Sequence, residues 1–149
     1  MGLFTRRLQT VVFGALCAEG QSKVWEGEIG IPHLGDGFAL RVHGTRDGPT
    51  PTQTEAFARL AANARQVRDE ATPALVAFLL ECGVVPPGVR LDASTLWGFL
   101  TPCFIEVHPD PGLGAAESTC SVGYEIPWEP SQLVHINATH GAFTDVHSE

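Results

Sequence analysis

The sequence predicts an α+β fold: a single domain over residues 1–149, with an antiparallel sheet of about six to seven strands and two central helices packed on one of its faces. Three observations predict it. Short stretches that alternate apolar and polar side chains fill much of the first fifty residues and return after residue 100. That period of two puts one strand face in a core and the other in water. Residues 51–82 place apolar side chains at helical spacing instead. Strands, then helices, then strands give segregated layers rather than alternating βαβ units.

The opening reads as a three-stranded meander over residues 10–43. Thr10–Cys17 is an apolar strand, with a turn beginning at Ala18-Glu19-Gly20. Lys23–Ile31 alternates Trp25, Gly27, Ile29 and Ile31 with Val24, Glu26 and Glu28. Phe38, Leu40 and Val42 alternate with Arg41 and His43 after a Pro/Gly loop. Arg6-Arg7 and the following apolar run faintly imitate an export signal, but Gln9 and Thr10 interrupt the run and Leu16 stands where a lipobox wants a small residue. A cytoplasmic location is expected. No apolar run approaches the ~20 residues of a membrane-spanning helix, so no membrane partner is expected.

Thr50-Pro51-Thr52-Gln53 is a helix start: Thr50 and Gln53 can form a capping box, and proline suits the first helical position. Phe57, Leu60, Ala64 and Val67 continue one face. Thr72-Pro73 predicts a break, giving two helices over about 51–69 and 73–82, the second apolar nearly all round and therefore buried, with Gly83 as its stop. Asp92 or Ser94 begins a short helix over 94–100. Strands fill 103–146: one through Cys103, Ile105 and Val107, one through Val122–Trp128, and a closing hairpin around Thr139-His140-Gly141, whose glycine supplies φ > 0.

Charge is unevenly distributed. Residues 1–90 balance nine basic against nine acidic side chains, whereas residues 91–149 hold eight acids and no Lys or Arg. An acidic half attracts basic partners and repels nucleic acid, so no nucleic-acid partner is expected. The cysteines at 17, 82, 103 and 120 contain no CxxC and read as free, buried, hydrophobic thiols.

Val24-Trp25-Glu26-Gly27, Gly48-Pro49-Thr50 leading to Gln53 and Phe57, Ile105-Glu106-Val107 and Tyr124-Glu125 with Trp128-Glu129 together resemble a family of uncharacterised bacterial domains. Some members of that family accompany polymorphic-toxin loci as candidate immunity proteins. The resemblance implies a small cytosolic binding protein. It brings no catalytic set, and Glu129-Pro130-Ser131-Gln132 replaces the Glu-His-Gly stretch that often follows the tryptophan in that family.

No phosphate-binding glycine loop, nucleophile elbow, His-Glu-x-x-His or zinc-finger spacing occurs, and no cofactor is implied. The leading expectation is a non-enzymatic domain that binds a basic protein partner through its acidic half. Glu125, Trp128, Glu129 and Asp145 are its candidate contacts, with Trp128 held as an exposed anchor between Pro127 and Pro130. Neutralising Glu125 and Glu129 should then weaken binding more than neutralising Glu26 and Glu28. One alternative is a metal-dependent hydrolase, with Glu106 and His108 on one strand face and His135, His140, Asp145 and His147 on the terminal hairpin as N/O ligands. A structural accessory subunit is a third reading.

Overall fold

The computed structural model describes residues 4–111 and 117–148. Its strands are β1 (Thr5–Thr10), β2 (Gly14–Glu19), β3 (Val24–Ile31), β4 (Gly35–His43), β5 (Thr101–Val107), β6 (Thr119–Glu125), β7 (Leu133–Thr139) and β8 (Ala142–Ser148). Between β4 and β5 run the helices α1 (Pro51–Ala62), α2 (Ala64–Glu81) and α3 (Leu96–Phe99). All eight strands form one sheet in sequence order. Its neighbours pair antiparallel except β4 and β5, which are parallel because the helical connection carries the chain back across the sheet before β5 begins. The α+β class stands, with eight strands in place of six or seven.

The extra strand comes from the N-terminus. Thr10–Cys17 is not one strand: a turn at Val11–Phe13 splits it, so β1 pairs with β2 from Thr5↔Glu19 to Thr10↔Gly14. Thr10 closes the turn, its hydroxyl accepting from Phe13 N–H and donating to the Gly14 carbonyl, while Gly14 takes φ +73°. Phe13 turns inward against Phe57 of α1, ring centroids 5.0 Å apart, and Val11 is left in water. At the other end, His140 and Gly141 both have positive φ, the twist of a two-residue hairpin turn, as the sequence led us to expect for the glycine.

The helical expectation is corrected in its break point. Pro73 lies inside α2, which is continuous, and the chain bends at Asn63 instead. A helical proline removes one N–H, here the partner of the Asp69 carbonyl, and both residues are exposed, so water can take that carbonyl. Nor is the second helical stretch buried all round: Ala77 and Leu80 are exposed while Ala71, Leu75 and Leu79 are buried. The capping box forms as the sequence suggests, with Thr50 and Gln53 bonded reciprocally.

One core joins the layers. Leu40, Val42, Ile105, Val107, Val122 and Ile136 on the sheet meet Phe57, Leu60, Val67, Leu75 and Leu79 on the helices. The tip of the β3–β4 hairpin folds over the same side, where Tyr124 donates to the Leu34 carbonyl at 2.8 Å and its ring meets Phe38 and Trp97 edge-on. Burial pushes the Tyr124 hydroxyl well above its ordinary pKa, so it stays a donor. Among the described residues no helix is long and apolar enough to cross a membrane.

All four cysteines are free, but Cys17 and Cys82 are exposed, against the expectation of four buried thiols. Cys17 alternates outward from the buried Leu16 and Ala18, and Cys82 follows the last turn of α2. Only Cys120 is fully buried, and burial pushes its thiol up to about 12.

Candidate functional site

Because the helices cover one face of the sheet, strand alternation sends every second side chain to the other, which among the described residues carries no helix. The outward rows are read from the register. Glu26, Arg41, Glu106, Ser121, Asn137 and Asp145 form one row across β3 to β8. Ala39, Phe104, Gly123, His135 and His147 form the next. His43 and His108 stand at the end of this surface, so four of the six histidines share it.

Two stretches of hydrogen bonds run along this surface, one joining His43 to Glu106 and one running from His108 through Ser121 and Asn137 to Asp145 and His147. His43 Nε2 meets Glu106 Oε1 at 2.5 Å. His108 Nε2 lies 2.7 Å from the Ser121 hydroxyl, which donates to Asn137 Oδ1 at 2.6 Å. The Asn137 amide donates to Asp145 Oδ1 at 2.6 Å and reaches His147 Nδ1 at 2.9 Å. Directions follow from the ends. An ionised carboxylate only accepts, so the Asn137 NH2 points to Asp145 and its oxygen to Ser121. Ser121 has one proton and gives it to Asn137, so His108 must donate through Nε2. The serine therefore cannot pass its proton to His108, as a nucleophile activated by a base must. This is a polar ladder, not an acyl-transfer pair.

Phe104 supplies the apolar counterpart. Its ring lies across Gly123, where a Cβ would sit 2.4 Å from its Cε1. It then meets His135 edge-on at 5.0 Å, and His135 packs on His147 at 4.5 Å. Thus Ser121 and His135 are buried on a face that no helix of the described residues covers.

Among the described residues this face carries six carboxylates (Glu19, Glu26, Glu28, Glu106, Glu125 and Asp145) and two guanidiniums (Arg7 and Arg41). The acidic surface is thus drawn from both halves of the chain. Glu26 and Glu28, expected to matter less, lie on it. Asp92 instead pairs with Arg90 and takes the Ser94 N–H and hydroxyl, contacts that lower its carboxyl to about 2, and Asp110 accepts from Ser118. Glu149 is outside the described residues.

The predicted contacts do not form one patch. Glu125 and Asp145 share the sheet face but stand in different rows. Trp128 is not an open anchor: it is half-buried, its ring 4.7 Å from Phe99 of α3, and Glu129 accepts from Ser131 in the turn after β6. Of the metal-ligand candidates, Glu106, His108, His135 and Asp145 lie on the same face, because the β7–β8 register sets His135 opposite His147 and Asn137 opposite Asp145. Yet among the described residues no three His, Cys, Asp or Glu side chains group to hold an ion. His140 lies in the hairpin turn.

Burial holds His108 below its ordinary pKa of 6.5, with His43 and His147 acting in the same sense and Glu106 opposing. A histidine depressed in the fold contributes stability fully present above the unfolded value near 6.5 and lost as pH falls below it. His108→Gln keeps an N–H donor for Ser121 and removes the titration. Urea midpoints at pH 7.5 and 5.5 should therefore differ less for this variant than for the wild type; equal differences would mean His108 is not the sensitive group.

No protein-family model, curated protein or solved structure matches the chain.

Proposed function

We propose that the chain is a non-enzymatic binding domain that takes a basic protein partner on the uncovered face of its sheet, in the manner of an immunity protein covering a toxin. The observation that carries this reading is the excess of carboxylates on a sheet face without a covering layer. Such a field raises the rate of encounter with a cationic surface, and a few desolvated contacts then hold the complex. The hydrogen-bond directions of the ladder give no support to a serine nucleophile on this face, since Ser121 gives its proton to Asn137 and not to His108.

The test is kinetic. A partner recovered by co-purification should associate more slowly as salt rises, because the Debye length falls from ~10 Å at 0.1 M to ~3 Å at 1 M. Neutralising Glu26 and Glu28 together, or Glu125 and Asp145 together, should each slow association, since all four share the face. A rate indifferent to salt and to both double variants would leave the face as a solubilising surface only.

A further inference from the structure

A groove of about 490 Å3 crosses the middle of the uncovered face between β3, β4 and β5. It exists because Ala39 is small where its cross-strand neighbours are long. Ala39 projects outward from β4 with Glu28 opposite it on β3 and Phe104 opposite it on β5. Gly27 lines the floor with backbone only, since a side chain there would point to the core side beside Leu16, and Glu26, Arg41 and Glu106 stand around the gap. Phe104 is fixed as one wall, because its ring is seated on Gly123 and braced edge-on by His135. The groove therefore offers a held aromatic surface with carboxylates beside it. The one cation already there, Arg41, meets Glu26 at 3.8 Å with both side chains more than half exposed, and such a pair adds little and yields easily.

We infer that this groove receives an arginine side chain of the basic partner, its guanidinium plane against Phe104 and its N–H groups on Glu26 and Glu106. The inference rests on the proposed reading of the face as the docking surface and names what that surface selects. Arginine fits where lysine does not: a planar, weakly hydrated cation stacks on a ring and bonds a carboxylate with two donors, while an ammonium is a strongly hydrated point charge. Charge alone would treat the two alike.

The full chain is titrated with nona-arginine and nona-lysine peptides at about 0.15 M salt, a concentration that leaves short-range contacts in place. Nona-arginine should bind about tenfold tighter. Ala39→Leu fills the groove from an exposed strand position and should bring nona-arginine down to the nona-lysine affinity, with nona-lysine binding and the melting temperature unchanged. Phe104→Leu leaves the charges and removes the ring, and should abolish the same preference, so the idea is tested even if one variant folds poorly. Equal affinities in the wild type, or an arginine preference that survives both substitutions, would overturn the groove and leave the acidic face standing. Failure of both peptides to bind would bring down the acidic face and the groove with it.

Discussion

Gln53→Glu is expected to destabilise the protein by roughly 3–5 kcal/mol at neutral pH, the usual scale for leaving a charge buried without compensation. The side chain is fully buried. Its oxygen accepts from Thr50 N–H at 2.9 Å, and its nitrogen donates to the His43 carbonyl at 2.7 Å and the His108 carbonyl at 2.9 Å. One amide thus ties the start of α1 to the ends of β4 and β5, the two strands brought side by side by the helical crossover. Glutamate keeps the capping acceptor but turns its second oxygen toward two carbonyl oxygens. Because burial raises a carboxyl's pKa, the loss should grow as pH rises and shrink in acid, where the protonated group regains one donor. Urea unfolding at pH 5 and pH 7 reads both effects. A loss below ~1 kcal/mol at pH 7 would mean that these bonds do not hold the helix to the sheet. The same substitution should disturb the uncovered face, since the two carbonyls belong to histidines of that face.

Gln53 also shows how far the sequence could be read. Its capping box is local, written in four consecutive residues, and it forms. Its two longer bonds join residues 10 and 55 positions away, and no local pattern announces them. The same distinction runs through the fold. Alternation and the Gly141 turn located six of the eight strands, with β6 ending at Glu125, earlier than its apolar pattern runs: Ile126 is buried in the core beyond it and Trp128 packs on Phe99 of α3. The first hairpin was lost because Val11, Val12 and Phe13 imitate a strand interior; the turn is decided by the Thr10 hydroxyl and the positive φ of Gly14. Pro73 predicted a break that did not occur, since the Asp69 carbonyl it leaves without a helical donor belongs to an exposed residue that water can reach.

The site was legible residue by residue and illegible as an arrangement. Glu106 with His108 was readable, because a spacing of two fixes a shared strand face. That His135, Asp145 and His147 join them depended on the β7–β8 register, which a slip of one residue would have reversed. Phe104, Ser121, Asn137 and His43 were missed. A phenylalanine on the polar phase of a strand was the available signal for the first. Ser121 and Asn137 looked like ordinary outward polar residues, and only pairing across three strands makes them a ladder. The charge reading failed in a different way. Counting acids along the chain placed the negative surface in residues 91–149, whereas the sheet assembles it from alternate residues of both halves.

Two adjacent leucines provide the sharpest test of which side of α2 faces the sheet. Leu79→Ala should cost ~2–5 kcal/mol, the range for truncating a buried leucine whose cavity cannot fully collapse. Leu80→Ala should cost less than ~0.5 kcal/mol. Leu79 is 2% exposed and Leu80 54% exposed. Consecutive helical residues point ~100° apart, so a helix lying on a sheet buries one and exposes the other. Ala64, Val67, Ala71, Leu75 and Leu79 continue the buried line through Pro73, which requires the helix to run unbroken. Alanine is also the better helix former, which offsets a few tenths of a kcal/mol in both variants and cannot separate them. Urea midpoints for the two proteins, with slopes unchanged, measure the difference directly. Similar losses at both positions would mean that residues 74–80 are enclosed on every side, as their composition alone suggests, and that the helix does not lie on the sheet with its Leu80 side in water.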